Sequence, residues 1–205
     1  MGFDIYGMKP SNEQKPDVNW YDEPTVKAYF AWQNNTKGAY FRSNVWGWPG
    51  IWSYITTQCG DILTVKDAEG GCHNGGHIIT KKKALAIHKK LSELDKQGLI
   101  DAFENEQKDR VDAMPDIDCS ICEGTGTRHE WVGWESEEEW LKHNDSLISN
   151  NRMVSGFEWA NKCKGCNGCE GTGKRRPTRA SYFFSADLMR EFIEFCKYSG
   201  GFQIC

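Results

Sequence analysis

One eight-residue pattern occurs twice in this chain and limits what residues 119–173 can fold into. Residues 119–126 read CSICEGTG and residues 166–173 read CNGCEGTG, two copies of C-x-x-C-x-G-x-G. A Cys-x-x-Cys turn sets two sulfurs on one side of a short loop. Two such turns supply the four thiolates of a closed tetrahedral zinc site. The glycines behind each pair let the backbone turn tightly, so that its amides can approach the sulfurs. Cys163 adds an overlapping C-x-x-C with Cys166, but only Cys166 with Cys169 keeps Gly171 and Gly173 in step with Gly124 and Gly126. The expected ligands are therefore Cys119, Cys122, Cys166 and Cys169, holding one structural Zn²⁺, with Cys163 as the spare. Disulfides and unrelated thiols are the competing readings. Replacement of one cysteine by His129 or His143 would open the site to water.

These two stretches resemble the cysteine-rich zinc motif of DnaJ-type co-chaperones. Those proteins carry four such motifs, two zincs and a J-domain HPD signature. This chain has two motifs and no HPD, so the resemblance implies zinc binding and not chaperone activity.

The totals narrow the rest. At 205 residues there is room for one sizeable domain, or a core with a zinc-stapled lobe. Nine cysteines in a secreted chain would suggest a disulfide framework. The cysteines cluster as C-x-x-C, however, and the opening residues lack a secretory pattern, so a reducing cytoplasmic setting is expected. No stretch approaches the roughly 20 apolar residues of a membrane span. A net charge of −4 does not favour a broad nucleic-acid footprint. A basic cluster at Lys174, Arg175, Arg176 and Arg179 keeps a nucleic-acid-binding zinc module as an alternative.

Along the chain, GFDIYGM (2–8) reads as a strand and residues 9–24, with three prolines, as an irregular excursion. Residues 25–33 fit a strand or a short helix equally well. NNTKG (34–38) reads as a turn. In GAYFRSNVWGWPGIWSYITTQCG (38–60), Pro49 suits a first helical turn, and Trp48, Trp52 and Ile55 share one face. A glycine-rich loop follows at 69–79. Thr80 caps a helix over 81–97 with Ala84, Ile87, Leu91 and Leu94 inward and Gly98 past its end. A second helix spans 99–112. Between the knuckles lie a possible ribbon (128–134) and a capped helix (137–148). RASYFFS (179–185) reads as a strand. Ser185 then caps a helix over 186–198 with Leu188, Phe192 and Phe195 as its stripe, and FQIC closes as a strand. The whole predicts an α+β fold, a mixed small sheet with several helices and a four-cysteine zinc-stapled lobe. Its expected parts are an aromatic-rich core (1–115), the zinc lobe with its insert (116–178), and a strand–helix–strand return (179–205).

Two further sets of residues are candidates for binding. Cys72-His73-Asn74-Gly75-Gly76-His77 precedes Lys81, Lys82 and Lys83 at a helix start. Three lysines there oppose the positive end of the helix dipole, which makes sense if an anion sits nearby. His73, Asn74, Gly75, Gly76, His77, Lys81 and Lys82, with Trp48 as a stacking ring, are the expected contacts of a small phosphate-bearing ligand such as a signalling nucleotide. A second metal on His73 and His77, or a solvated helix end, are the other readings. Trp131, Trp134 and Trp140 offer an aromatic patch for a protein partner. The signatures G-x-S-x-G, H-E-x-x-H and dinucleotide-binding G-x-G-x-x-G are absent, as is the zinc-deaminase spacing.

The frame MGFDIYG…GAYFRSNVWGWPGIW…SGGFQIC also resembles a group of uncharacterised phage and prophage proteins. That resemblance implies a role inside the host cytoplasm during infection. The expected function is non-enzymatic binding, by inhibiting a host protein or sequestering a ligand.

Overall fold

The computed structural model describes residues 2–126, 166 and 168–205. The chain is α+β, as expected, and divides into two units: residues 1–112 with 181–205, and residues 113–180. In the first unit, β1 (Gly2–Gly7), β2 (Tyr40–Asn44), β3 (His77–Thr80) and β6 (Gly201–Ile204) form an antiparallel sheet in the order β2-β1-β6-β3. Its helices are α1 (Glu23–Asn35), α2 (Trp48–Gln58), α3 (Val65–Gly70), α4 (Lys81–Lys96), α5 (Leu99–Asp112) and α6 (Ala186–Tyr198). None of them is long and apolar enough to cross a membrane.

Strand alternation decides which face is inside. Phe41, Ile5 and Ile204 are register partners in one buried row, and Ile79 and Phe202 form another. The same register puts His77 opposite Ile204, and therefore on the inner face. α4 packs against β3 and β6, and α6 against β2 and α4. The expected inward residues Ala84, Ile87 and Leu91 are fully buried, with Leu94 packed partly against them.

The aromatic stretch supplies the centre of this core. Phe3 stacks on Trp48 at 5.5 Å and Trp48 on Trp52 at 5.4 Å, while Phe192 meets Trp48 edge-on. Both indole N–H groups are satisfied inside the core, Trp48 Nε1 by the Gly71 carbonyl and Trp52 Nε1 by that of Ala68, each at 2.8 Å. Satisfied donors and stacked faces allow rings this large to be buried without a polar penalty.

Several expectations change. Residues 25–33 are helical, because Pro24 at the first turn and an unbroken backbone ladder to Asn35 outweigh their ring-rich composition. That helix also takes up the start of the expected 34–38 turn. The glycine-rich loop is preceded by α3, whose Thr64 and Asp67 form a reciprocal capping box. RASYFFS is not a strand. It begins in a 3₁₀ turn at Thr178–Ser181, and Tyr182 and Phe183 are exposed while Phe184 is buried. In α6 the buried set is Ala186, Met189, Phe192, Ile193, Phe195 and Cys196, with Leu188 only half-buried. The ribbon and helix expected between the knuckles lie outside the described residues.

Candidate metal centre

The second unit contains a two-residue ladder, β4 (Ile117–Asp118) against β5 (Lys174–Arg175), which sets the two knuckles side by side. Beyond it, Cys119, Cys122, Cys166 and Cys169 are buried, with all four sulfurs within 4.8 Å of one another. Cys119 Sγ lies 3.9 Å from Cys166 Sγ, and Cys122 Sγ 3.7 Å from Cys169 Sγ. Covalent S–S bonds are about 2.05 Å, so these are four free thiols and not two disulfides. Separations of this size suit sulfurs ligating a common ion at about 2.3 Å each.

The sequence echo becomes a local two-fold arrangement. Glu123 and Glu170 both take positive φ, 51° and 53°, as do Gly124 and Gly171 at 83° and 82°. Gly126 N donates to Cys122 Sγ at 3.3 Å, and Gly173 N to Cys169 Sγ at 3.2 Å. Thr125 Oγ1 donates to the Cys122 carbonyl and Thr172 Oγ1 to that of Cys169. The halves also cross: Cys119 N donates to the Gly173 carbonyl, and Cys166 N to that of Gly126. Each half satisfies the other's backbone as well as sharing the sulfur cluster.

Amide donors aimed at sulfur favour the thiolate, the form that ligates metal. At Cys119 the amides of Ile121 and Cys122 outweigh burial and bring the thiol down to about 7, whereas at Cys166 burial outweighs the Gly168 amide and pushes the thiol up to about 11. A buried four-sulfur set with amide donors around it fits a metal ion by its donor chemistry alone. Cys163, the expected spare, lies outside the described residues, as do His129 and His143.

The glycines behind each knuckle are required by geometry. A Cβ on Gly126 would lie 2.4 Å from the Gly171 carbonyl oxygen, and one on Gly173 would lie 2.2 Å from that of Gly124. Both glycines also have positive φ, 78° and 75°. Gly126→Ala and Gly173→Ala should therefore impair metal retention to a similar degree, each lowering affinity at least tenfold in chelator competition. A loss confined to one of them would contradict the two-fold equivalence.

The second candidate region is built around a residue that sequence reading missed. Asp67, on α3, is buried with its side chain 7 % exposed. Its Oδ1 lies 3.1 Å from His77 Nε2, and its Oδ2 accepts from the Lys83 ammonium and from Thr64 N at 2.8 Å. Burial works against its ionisation, yet Lys83, Thr64 and His77 hold the carboxyl well below the usual carboxylate range. The signal was present in T-x-x-D at residues 64–67, a capping-box pattern in a segment too short to show a helical stripe.

The other expected contacts scatter. His73 and Gly75 are exposed, as are Lys81 and Lys82. Asn74 Nδ2 donates to the Gly2 carbonyl, and Gly76 N to that of Ile204, so these two residues fasten the loop to the sheet. Trp48 is fully buried. Of the second basic cluster, Lys174 pairs with Asp118 at 2.5 Å and Arg176 with Asp116 at 3.7 Å. Trp131, Trp134 and Trp140 lie outside the described residues. Comparison with known proteins finds no matching family model, no matching curated protein and no matching solved structure.

Proposed function

We propose that this chain is a non-enzymatic binding protein of phage type, stabilised by one Zn²⁺ on Cys119, Cys122, Cys166 and Cys169. It acts in the host cytoplasm by inhibiting or sequestering a host component. The observation that carries the metal reading is the buried cluster of four sulfurs within 4.8 Å of one another. A four-sulfur set is complete without water, which suits a structural ion and not a reactive one. Among first-row metals, tetrahedral thiolate sites select zinc or iron. The host-directed part of the proposal rests on the resemblance of the opening, aromatic and closing segments to phage proteins. The alternative sites draw less support, because Lys83 and His77 already face Asp67, and Lys174 and Arg176 face aspartates.

Elemental analysis of the purified chain should find one zinc per molecule. Replacement by Co²⁺ should give the intense visible bands of a tetrahedral thiolate site. Absence of a transition metal overturns the reading, and stoichiometric iron overturns its zinc assignment. Partner binding is tested by co-purification from host lysate, which Trp134→Ala or Trp140→Ala should abolish.

A further inference from the structure

An edge strand leaves hydrogen-bonding groups open to another chain unless something blocks them, and β2 is one edge of the sheet. Gly7 N donates to the Ala39 carbonyl just before β2, and Asp4 and Cys205 exchange both backbone bonds at 2.8 Å. Bonded and non-bonded pairs alternate along an antiparallel ladder. The odd-numbered residues of β1 therefore bond to β2, through Phe41 and Ser43, and the even-numbered ones to the other neighbour. The N–H and C=O groups of Tyr40 and Arg42 point the opposite way, to the open edge. No described residue bonds to them.

A groove of about 680 Å³ lies against this edge. Tyr40, Phe41 and Arg42 all line it, although alternation sends Phe41 to the inner face and its two neighbours to the outer one. Three successive residues share one groove where it meets the backbone between the two faces. Its walls are the C-terminal end of α1, with Gln33, and the solvent side of α6, with Glu191 and Glu194. Gln33 is only 9 % exposed, and its amide makes no hydrogen bond to any described residue. A shielded amide without a partner is costly, and a peptide group offers it the complementary donor and acceptor. Glu194 pairs with Lys37 at 3.3 Å, whereas Glu191 is exposed and has no ion-pair partner among the described residues. We propose that the groove takes an extended peptide of a partner protein, added beside β2 as a further strand, with a lysine or arginine facing Glu191. Main-chain bonds to Tyr40 and Arg42 set its register, and the basic side chain selects its sequence. A second copy of this chain fits less well, because antiparallel pairing would place two acidic α6 rims on the same face. The proposal rests on neither the metal nor the tryptophans between the knuckles.

A display library of random heptapeptides, panned on the full chain, supplies the probe. Selected peptides should carry Lys or Arg at one fixed position, and panning on Glu191→Lys should lose that preference. Two changes at one residue test the backbone, with a selected synthetic peptide followed by fluorescence polarisation. Arg42→Pro deletes the outward N–H without touching the ladder to β1, as an edge strand tolerates, and should weaken binding at least tenfold. Arg42→Ala loses the same 3.6 Å contact with Asp4 but keeps that N–H, and should bind nearly as the wild type does. N-methylation of the peptide asks the same question without altering the protein. Methyl groups on one alternate set of amides should abolish binding, and those on the other set should not. The proposal is overturned if panning enriches no peptide or if the basic preference persists on Glu191→Lys. Equal affinities of the two Arg42 variants also overturn it, as does equal tolerance of the two methylation sets. A dimer seen by sedimentation and dissociated by Arg42→Pro assigns the edge to a second copy and overturns it too.

Discussion

Cys122→Ser should abolish stoichiometric metal binding and unfold the second unit while leaving the melting transition of the first unchanged. The described residues of that unit contain one buried hydrophobic cluster, made of Cys119, Cys122, Cys166 and Cys169 themselves. On the proposed metal reading, the ion supplies free energy that orders the knuckles around these four sulfurs. Structural zinc in small finger peptides binds with about 10–16 kcal/mol at neutral pH, and that energy is folding energy. Loss of one thiolate removes a ligand and opens the closed tetrahedral set to water. Hydrogen exchange gives the sharpest readout: the amides of Gly126 and Gly173, which donate to Cys122 and Cys169 in the intact cluster, should lose protection together. Cys72→Ser is the matched control, since Cys72 is exposed and outside the cluster, and it should change neither metal content nor exchange. A Cys122→Ser protein that keeps one metal and protected knuckle amides would remove the basis for a metal-built unit.

The second large effect is expected at Asp67. One carboxylate ties three elements together: it caps α3 through Thr64, holds His77 at the start of β3, and pairs with Lys83 in the first turn of α4. Asp67→Ala leaves a partly buried ammonium and an imidazole without their partner. Breaking a buried pair from one side costs about 3–5 kcal/mol. In a domain of this size that lowers the melting temperature by about 10 °C. The exposed Arg190 network with Asp95, Asp101 and Asp187 should matter less, because water screens charges that remain at the surface.

The same site sets an acid response. The folded carboxyl titrates below its unfolded value near 3.9, so its contribution is complete above about pH 4. It is lost as pH falls through the lower folded value. The wild-type protein should therefore lose stability between about pH 4 and pH 2, and Asp67→Asn should be less stable at pH 7 but flatter across that window. Parallel acid profiles for the two proteins would show that Asp67 carries no such role.

Much of this was legible from the chain because several signals agreed at the same residues. In α4, Thr80 as cap, the Ala84–Ile87–Leu91 spacing and Gly98 all mark one helix, and its bounds follow. The knuckles were legible for a different reason: the repeat itself chose Cys166 with Cys169 over Cys163. RASYFFS failed because alternation records only a tendency to be extended. A strand also needs a ladder to join, and Tyr182 and Phe183 belong to no described sheet, Phe183 N making a single bond to the Trp46 carbonyl. Residues 25–33 were undecidable because Val26, Tyr29, Phe30 and Trp32 favour strands, while the proline at the helix start and the ladder behind it decide otherwise. Asp67 was hidden by distance along the chain. Of the three lysines, Lys83 meets an anion of the protein's own, Asp67, brought from α3 by folding, while Lys81 and Lys82 stay exposed.

The hydrogen bond from Cys166 N to the Gly126 carbonyl means that polypeptide leaves and re-enters the sulfur cluster at a single point. Whatever is spliced between those two residues is anchored at a common root, so its length and content can change without altering the ligand geometry beneath it. The clasp is in that respect a mounting, on which natural variation or a protein engineer could exchange one inserted sequence for another while the base stays fixed.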